Sequence, residues 1–353
     1  MANNGQPPNR VRIRREQQGW SQAELATRAG ISRAAVSAIE IRRLVPSVAA
    51  ALSLAAALGC RVEDLFSAAH AGDETAAWAW PPVPESCRYW HARVGGRVLL
   101  YPVERMAAGV VAHDGVLRNG RLTASSNTAP DSTLVIASCD PAAGLLAAEY
   151  ARVSGFRLLV LQRSSRKALI LLRDRLVDLA GVHLAAENNN GRNIAVARSI
   201  LGAGYSLMTA ATWHEGLAVL PAVATTSIRS LLRGRYRWVG REPGSGARQC
   251  QDELLEHRPL PRHTATDHRG VAEAIRCGWA DVGVCVRLAC EEAGLQFIKI
   301  REEAYDLCYR TEQESDPRFR ALFAVFRSAD FQRKLSELPG YDCRNAGESL
   351  RIE

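Results

Sequence analysis

The sequence predicts a multidomain chain made of an all-α bundle, a small β connector and a larger α/β region. Three observations support this prediction. The chain has 353 residues, more than one ordinary domain needs. Its first 66 residues break into short segments with apolar residues at helical spacing. Residues 131–353 alternate apolar strands, including Gln296–Ile300, with helices, which predicts largely parallel sheets. The stretch between the two regions contains hairpin-type turn dipeptides.

The composition is that of a folded and mildly basic protein. Apolar residues make up 47% of the chain and charged residues 23%, which excludes wholesale disorder. The net charge is +8, and nine arginines against five acidic residues lie in residues 1–66. Half of the excess charge therefore falls in less than a fifth of the chain, and such a concentration of arginine attracts phosphates.

Compartment signals favour the cytoplasm. No run of 18 apolar residues occurs, and the first ten residues contain no apolar signal-peptide core. The nine cysteines form no CxxC pair and show no standard zinc spacing. We therefore expect a cytoplasmic protein with reduced thiols, no membrane partner, no metal and no other cofactor.

Capping signals place the helices of residues 1–66. Ser21-Gln22-Ala23-Glu24 is a capping box that opens the second helix, and Gly30 ends it. Ser32 caps a third helix that extends to Glu40, and Pro46-Ser47 opens a fourth. Two short helices joined through a glycine turn, the second of them polar and basic outward, predict a helix-turn-helix.

This segment closely resembles the Cro/repressor-type (XRE) family of helix-turn-helix regulators. The resemblance rests on Ser21-Gln22-Ala23-Glu24-Leu25-Ala26, Gly30-Ile31-Ser32, Val36-Ser37-Ala38-Ile39-Glu40, Pro46-Ser47 and Leu58-Gly59-Cys60-Arg61-Val62-Glu63-Asp64-Leu65-Phe66. It implies that the third helix enters the major groove of DNA. The residues expected to contact DNA are Gln22, Ser32, Arg33, Ala34, Ser37, Arg42 and Arg43. The alternative is a basic bundle that docks on a protein.

Residues 67–130 are expected to form a linker and a small β unit. Gly95-Gly96, Asp114-Gly115 and Asn119-Gly120 are turn signals, and the last two are strong hairpin dipeptides. The tryptophans of this stretch, Trp78, Trp80 and Trp90, are expected to supply its core.

Three strand-to-helix junctions of the α/β region contain polar residues, and ligands bind at such junctions in this class of fold. The junctions are Ser138–Pro141, Gln162–Lys167 and Arg241–Arg248. The last two combine hydroxyl groups and free backbone N–H groups with arginines, an arrangement that holds anions. An ordinary helix cap is the alternative for any one of them.

The same region resembles the type II periplasmic-binding-protein-like domain, related to molybdate-binding proteins, that occurs fused to helix-turn-helix regulators. The resemblance rests on Val160–Ser165, Ala180–His183, Arg241–Arg248, Gly278–Gly283 and Glu303–Leu307. It implies two lobes around a ligand cleft, with roughly residues 213–300 in the second lobe. Together with the junctions, it nominates as ligand-binding residues Cys139, Arg163, Ser164, Ser165, Gly244, Ser245, Gly246, Ala247, Arg248, Asp281 and Tyr305.

The sequence therefore predicts a one-component bacterial transcription regulator. Its expected domains are a helix-turn-helix bundle at 1–66, a linker and β unit at 67–130, and a two-lobed sensor at 131–353. We expect a homodimer or higher homo-oligomer on double-stranded operator DNA, controlled by an oxyanion such as molybdate or by a small carboxylate in the cleft. An enzyme acting on a small anionic substrate in that cleft is the alternative, although the sequence offers no recognisable nucleophile–base pair. A scaffold that senses a partner protein is a third possibility.

Overall fold

The computed structural model describes residues 9–41, 43–60, 62–66, 76–82, 84–104, 111–126, 128–184, 191–223, 227–256 and 261–353. The chain divides into two compact units, Met1–Ala76 and Ala77–Glu353. The predicted domain boundaries at 66 and 130 stay predictions. In the described part of the chain, every helix is too short or too polar to span a lipid bilayer.

The first unit is a bundle of short helices. They are α1 (Val11–Gln17), α2 (Gln22–Ala29), α3 (Arg33–Glu40), α4 (Val48–Ala57) and α5 (Val62–Phe66). The predicted capping box is present, because the Ser21 hydroxyl accepts from the Glu24 N–H and the Glu24 carboxylate accepts from the Ser21 N–H. Gly30 ends α2 in the left-handed conformation, and Ser32 caps α3. Apolar side chains of α2, α3 and α4 form the core of this unit.

The second unit begins with a five-stranded sheet. Its strands are β1 (Ala77–Trp78), β2 (Cys87–Val94), β3 (Arg97–Pro102), β4 (Gly115–Arg118) and β5 (Arg121–Ala124), in the order β1-β3-β2-β4-β5. Asn119-Gly120 connects β4 to β5 with positive φ at both residues, as a type I′ hairpin turn requires. Trp90 is buried in a core that the small sheet shares with the following α/β region.

Asp114-Gly115 does not form the expected hairpin turn. Gly115 begins β4, and the buried Asp114 carboxylate accepts from both Nη atoms of Arg157 at 2.7 Å and from the His91 N–H. Although burial opposes ionisation, the Arg157 guanidinium and the His91 N–H hold the pKa of Asp114 below its ordinary value. This ion pair joins the small sheet to the α/β region.

The remainder of the second unit is an α/β region. Its strands are β6 (Thr133–Ser138), β7 (Arg157–Gln162), β8 (Leu179–Val182), β9 (Tyr205–Val219), β10 (Trp238–Arg241), β11 (Thr264–Ala265), β12 (Val282–Val286), β13 (Gln296–Arg310), β14 (Tyr341–Asp342) and β15 (Ser349–Ile352). Its α-helices are α6 (Ala143–Ser154), α7 (Ser165–Arg173), α8 (Gly191–Leu201), α9 (Ile228–Arg233), α10 (Gly246–Leu255), α11 (His268–Arg276), α12 (Arg287–Glu292), α13 (Pro317–Arg327) and α14 (Ala329–Ser336). Eight of the strands follow the order β11-β10-β12-β9-β13-β8-β6-β7.

Two antiparallel strands connect two parallel halves of this sheet. β6, β7 and β8 are parallel in one lobe, and β10, β11 and β12 are parallel in the other. β9 and β13 are each 15 residues long and pair along their length while they cross from one lobe to the other. The expectation of largely parallel sheets therefore holds within each lobe and fails at the crossing. β13 also runs to Arg310, ten residues beyond the Gln296–Ile300 strand that the apolar pattern predicts.

Each lobe has its own apolar core. The first lobe packs α6, α7 and α13 on β6 and β7, and the second packs α10 and α11 on β10 and β12. The register of β9 against β13 shifts between Lys299 and Arg301 and again between Tyr305 and Asp306. Both irregularities lie where the two strands pass between the lobes, so the residues between them face the junction of the two cores.

Candidate functional site

The strand-to-helix junctions of the two lobes face each other. The Arg166 N–H, in the first turn of α7, donates to the Gly244 carbonyl at 3.2 Å. Gly246 begins α10 so close to the first lobe that a Cβ there would lie 2.1 Å from the His183 carbonyl oxygen. A pocket of about 590 Å³ beside this contact is lined from both lobes, by Leu184 and Ser245 among others. The lobes are closed on a buried cluster of polar side chains.

Arg241, at the end of β10, is the buried cation of this cluster. It is fully buried, and its Nη1 lies 2.9 Å from His268 Nδ1. Its Nε and Nη2 have no hydrogen-bond partner among the described residues, and no described carboxylate lies within 4.0 Å of it. A buried guanidinium without an anion is costly. These two donors have the chemistry to bind an anion.

His268, the first residue of α11, adds a neutral donor. Its Nδ1 accepts from the Val286 backbone N–H at 3.2 Å, so the proton of the neutral ring is on Nε2. Burial, reinforced by the charge of Arg241, holds the pKa of His268 well below its ordinary value. The Nε2 atom is buried and lacks a partner among the described residues, which makes it a further free donor in the cluster.

Cys139, His183 and Glu303 form a hydrogen-bonded line through the same cluster. His183 Nε2 lies 3.0 Å from Cys139 Sγ, and His183 Nδ1 lies 3.0 Å from Glu303 Oε2. Cys139 follows β6, His183 follows β8, and Glu303 lies on β13. All three are buried. This is the geometry in which a carboxylate orients an imidazole toward a thiol.

Arg301 connects the carboxylates behind His183. Its Nη2 lies 2.6 Å from Glu303 Oε1 and 3.0 Å from Glu215 Oε2. Burial raises the pKa of Glu215 to about 8, helped by the neighbouring Glu303. Burial also raises the pKa of Glu303, and Arg301, which contacts both carboxylates, opposes both increases. The charge of Arg241 is left without compensation within the cluster.

Aromatic rings form the wall on the crossing strands. Trp213 of β9 stacks on Tyr305 of β13, with 4.6 Å between the ring centroids, and forms a T-shaped pair with His183, with 4.9 Å between the centroids. The Tyr305 hydroxyl lies 2.6 Å from Ser138 Oγ. Trp213 Nε1 is buried and forms no hydrogen bond of ordinary geometry with the described residues. This wall excludes water, which strengthens every charge interaction in the cleft.

Neither set of close ligand atoms in the cluster suits a metal ion. In the set His183, Glu215 and Glu303, both carboxylates already contact the Arg301 guanidinium. Ligand atoms of Cys139, His183 and His268 lie within 4.8 Å of one another. However, His268 Nδ1 already accepts a backbone N–H, and the guanidinium of Arg241 contacts the same ring. A bound cation would be repelled by that charge, and the unpartnered atoms of Arg241 and His268 are donors. The donor set suits an anion.

The predicted DNA-contacting residues lie on and beside α3. Ser32, Arg33 and Ala34 are exposed at its start, and Ser37 is half-buried on the next turn. The side chain of Gln22 donates to the Glu40 carboxylate at 2.8 Å, which Arg15 also contacts. Arg43 is exposed, and Arg42 lies outside the described residues. The start of α3 is thus exposed, whereas the Gln22 side chain is engaged within the unit.

Several predicted ligand-binding residues meet in the cleft. Ser164, the N-cap of α7, is fully buried, and its Oγ lacks a partner in the described chain. The Ser165 hydroxyl accepts from the His183 N–H at 3.1 Å. Ser245 caps α10 and also donates to the Glu242 carbonyl, so its hydroxyl is already used. The other predicted residues in or beside the cleft are Cys139, Gly244, Gly246, Ala247 and Tyr305.

Three predicted residues form ion pairs within the chain. Arg163 forms a bidentate pair with Glu104 and stacks over Trp80. Arg248 lines the pocket beside the cleft, where it pairs with Asp252 at 2.7 Å and donates to the Arg241 carbonyl at 3.1 Å. Asp281 precedes β12, at the opposite end of that strand from the cleft, and pairs with the Arg237 guanidinium at 2.6 Å.

Sequence reasoning did not single out Arg241, Trp213, Glu303 or His268 as ligand residues. Arg241 stands inside the Arg241–Arg248 segment, but nothing in the sequence distinguishes it from Arg248. Trp213 and Glu303 occupy paired positions on β9 and β13. The available signal was the run of charged residues within an otherwise apolar segment at 301–306, since charge inside a buried strand often marks a site.

Family comparisons match both units. A family described as "PBP superfamily domain" matches residues 147–327, and a family described as "Helix-turn-helix" matches residues 11–65. The protein YvgK of Bacillus subtilis (strain 168) is 28% identical over 198 residues, which cover 53% of this chain and 64% of YvgK. The chain therefore spans less than two thirds of the length of that relative.

A further relative and two solved structures are similar over smaller or more divergent regions. A protein in the 5′ region of the ferredoxin 2Fe-2S gene of Clostridium pasteurianum is 28% identical over 82 residues, covering 23% of this chain and 73% of that protein. A phosphate-bound, putative phosphate transporter substrate-binding protein of Clostridium perfringens has a TM-score of 0.46 and 11% identity, covering 59% and 99% of the two chains. An ABC-type phosphate transport receptor of Vibrio cholerae has a TM-score of 0.41 and 13% identity, covering 58% of this chain and 97% of that chain.

Proposed function

This chain belongs to the PBP superfamily, and from that premise we propose that it is a transcription regulator whose cleft binds a small anion. A helix-turn-helix unit is fused to the PBP-like domain. In this proposal the first unit binds operator DNA as a homodimer, and the second senses the anion. The observation that carries the proposal is the fully buried Arg241, with two donors and no carboxylate partner among the described residues.

The anion would be held from both lobes. Arg241 and His268 offer donors from the second lobe, and Ser164 offers a free hydroxyl from the first. The N-terminal turn of α7, which Ser164 caps, already contacts the Gly244 turn of the second lobe. An anion between these groups stabilises the closed lobes, because it supplies the charge that Arg241 lacks. Lobe closure then changes the geometry of the dimer and its affinity for DNA.

A thermal-shift titration of the full chain tests the cleft. The probes are phosphate, sulfate, molybdate and short carboxylates. An anion at about 100 times its Kd stabilises the folded state by about 2.7 kcal/mol. We expect at least one probe to raise the melting temperature of the wild type. The same probe should leave the melting temperature of Arg241→Met unchanged. Without anion, Arg241→Met should be at least as stable as wild type, because it removes an unpaired buried charge.

Arg237→Met is the matched control for this titration. Arg237 precedes β10, at the opposite end of that strand from Arg241, and its guanidinium is paired with Asp281 at 2.6 Å. We expect Arg237→Met to respond to the anion as wild type does. Equal responses of wild type and Arg241→Met to every probe would contradict the anion site.

Fluorescence anisotropy with DNA from the promoter of the chain's own gene tests the first unit. Arg33 is exposed at the start of α3, where an arginine contact to phosphate or base contributes about 1–3 kcal/mol. Arg33→Ala should therefore raise the Kd for this DNA by about tenfold at low salt. Arg173→Ala, a change to an exposed arginine of the second unit, should leave the Kd unchanged. An unaltered Kd for Arg33→Ala would rule out α3 as the recognition helix.

A further inference from the structure

The line of Cys139, His183 and Glu303 is more than an anion site needs. Anion binding requires donors, and Arg241, His268 and Ser164 supply them. A thiol 3.0 Å from an imidazole that is itself oriented by a buried carboxylate is the arrangement of an activated nucleophile. It also provides the nucleophile–base pair that the sequence did not reveal.

The hydrogen bonds define where the protons are. His183 Nδ1–H donates to Glu303, so Nε2 faces Cys139 Sγ with its lone pair and accepts the thiol proton. Burial alone lowers the pKa of His183, but the contact with Cys139 and the nearby Glu215 raise it above its ordinary value. Transfer of the proton leaves a thiolate beside an imidazolium, and the thiolate is the reactive form of cysteine.

One buried donor residue lies close to this thiol, and a second contacts the first. A ring nitrogen of His268 lies within 4.8 Å of Cys139 Sγ, and the His268 ring contacts Arg241. Arg241 Nε and Nη2 provide a two-donor fork of the kind that binds a carboxylate. His268 Nε2–H is a separate donor that suits a second oxygen close to the sulfur.

We propose that Cys139 captures a 2-oxo carboxylate covalently and reversibly, with Arg241 holding the carboxylate. In this step the Cys139 thiolate adds to the 2-oxo carbon. The electron pair of the C=O double bond moves to its oxygen, and the proton on His183 Nε2 moves to that oxygen. The product is a thiohemiketal and a neutral imidazole, with no atom lost and no oxidant needed. The proposal rests on the proposed anion site, since both use Arg241.

This ligand class fits both parts of the site. A 2-oxo carboxylate places its electrophilic carbon one bond from the group that Arg241 holds, and its carbonyl oxygen is free for His268. The addition expels no leaving group, so the reaction stops at the adduct. The site would thus retain its ligand, which suits a sensor better than an enzyme that releases a product.

Cysteine alkylation on the full chain tests the proposal. Iodoacetate carries a carboxylate beside its electrophilic carbon, and iodoacetamide is its neutral counterpart. Exposed Cys277 is an internal control on the same chain. Peptide mapping by mass spectrometry gives the iodoacetate-to-iodoacetamide rate ratio at each cysteine. Both reagents need the lobes to open, so the ratio cancels the cost of opening.

We expect the ratio at Cys139 to exceed that at Cys277 by about tenfold or more, as a charge-assisted contact predicts. Arg241→Met should reduce the ratio to that of Cys277. Glu303→Gln should slow the labelling of Cys139 by both reagents while the ratio persists, because Glu303 positions His183. Equal ratios at Cys139 and Cys277 in the wild type, or a preference that survives in Arg241→Met, would overturn the proposal.

Protection by pyruvate and lactate tests the covalent step. The two anions match in size and charge, but only pyruvate has an electrophilic carbonyl. Pyruvate should slow the iodoacetamide labelling of Cys139 at a lower concentration than lactate does. Equal protection by the two, including none by either, would overturn covalent capture. If covalent capture fails but an anion still stabilises the wild type and not Arg241→Met, the proposed function stands without the covalent step. If no anion stabilises the wild type in this way, the proposed function and covalent capture both fail.

Discussion

At the scale of single residues, the partner of each arginine decides its role. Arg163 and Arg248 stand at the strand-to-helix junctions, where the sequence predicts anion contacts, but Glu104 and Asp252 neutralise them. Arg241 is the last residue of β10, before the helix that contains Arg248, and no described carboxylate pairs with it. The junction that the sequence selects also contains Arg241. The sequence does not single out this arginine, because the partner Glu104 is 59 residues from Arg163 and comes close only in the fold.

Two serines that the sequence treats alike should behave differently. The Ser245 hydroxyl caps α10, so Ser245→Ala should cost about 1 kcal/mol of folding stability by chemical denaturation. The buried Ser164 hydroxyl has no partner among the described residues. Ser164→Ala should therefore keep its stability without ligand and weaken anion binding by about tenfold.

The two serine variants control for each other in the same denaturation and binding measurements. Weaker anion binding in Ser245→Ala with no loss of folding stability would contradict the assignment of Ser245 to helix capping and Ser164 to anion binding. So would a Ser164→Ala variant that binds the anion as the wild type does.

At the scale of elements, the crossing strands were the hardest to predict. The apolar pattern of β13 is interrupted by Arg301, Glu302, Glu303 and Asp306, so the sequence places its end near Ile300. These interruptions are the features that build the site, since Arg301 and Glu303 lie behind His183. The helices of the first unit were easier to predict, because each cap at Ser21, Ser32 and Ser47 is a local signal.

The start of α10 provides an element-scale prediction. A Cβ on Gly246 would lie 2.1 Å from the His183 carbonyl oxygen, whereas a Cβ on Gly144 of α6 would meet no atom within 4 Å. Gly246→Ala should therefore prevent α10 from docking on the first lobe and weaken anion binding by about tenfold or more, which corresponds to about 1.4 kcal/mol.

Gly144→Ala is the matched control, and it should bind the anion as the wild type does and be equally or more stable. Isothermal titration calorimetry measures both variants. Wild-type affinity in Gly246→Ala would mean that the closed contact between Gly246 and His183 is not part of the bound state.

At the scale of the whole molecule, the sequence predicts the order of the parts. The helical unit, the small sheet and the two-lobed α/β region follow one another along the chain as expected. The small sheet is not a separate connector in packing terms, because Trp90 and β6 share one core. No local pattern reveals this, since the contact depends on the pairing of Asp114 with Arg157, 43 residues away.

The central claim is that an anion held by Arg241 controls the affinity of the chain for DNA. The most direct test is the Kd for promoter DNA, measured by fluorescence anisotropy with and without the anion that most stabilises the wild type. We predict that this anion changes the wild-type Kd by at least about fivefold, the lower end of typical allosteric coupling, and leaves the Kd of Arg241→Met unchanged. The same Kd with and without the anion in the wild type, or the same change in Arg241→Met, would contradict the account.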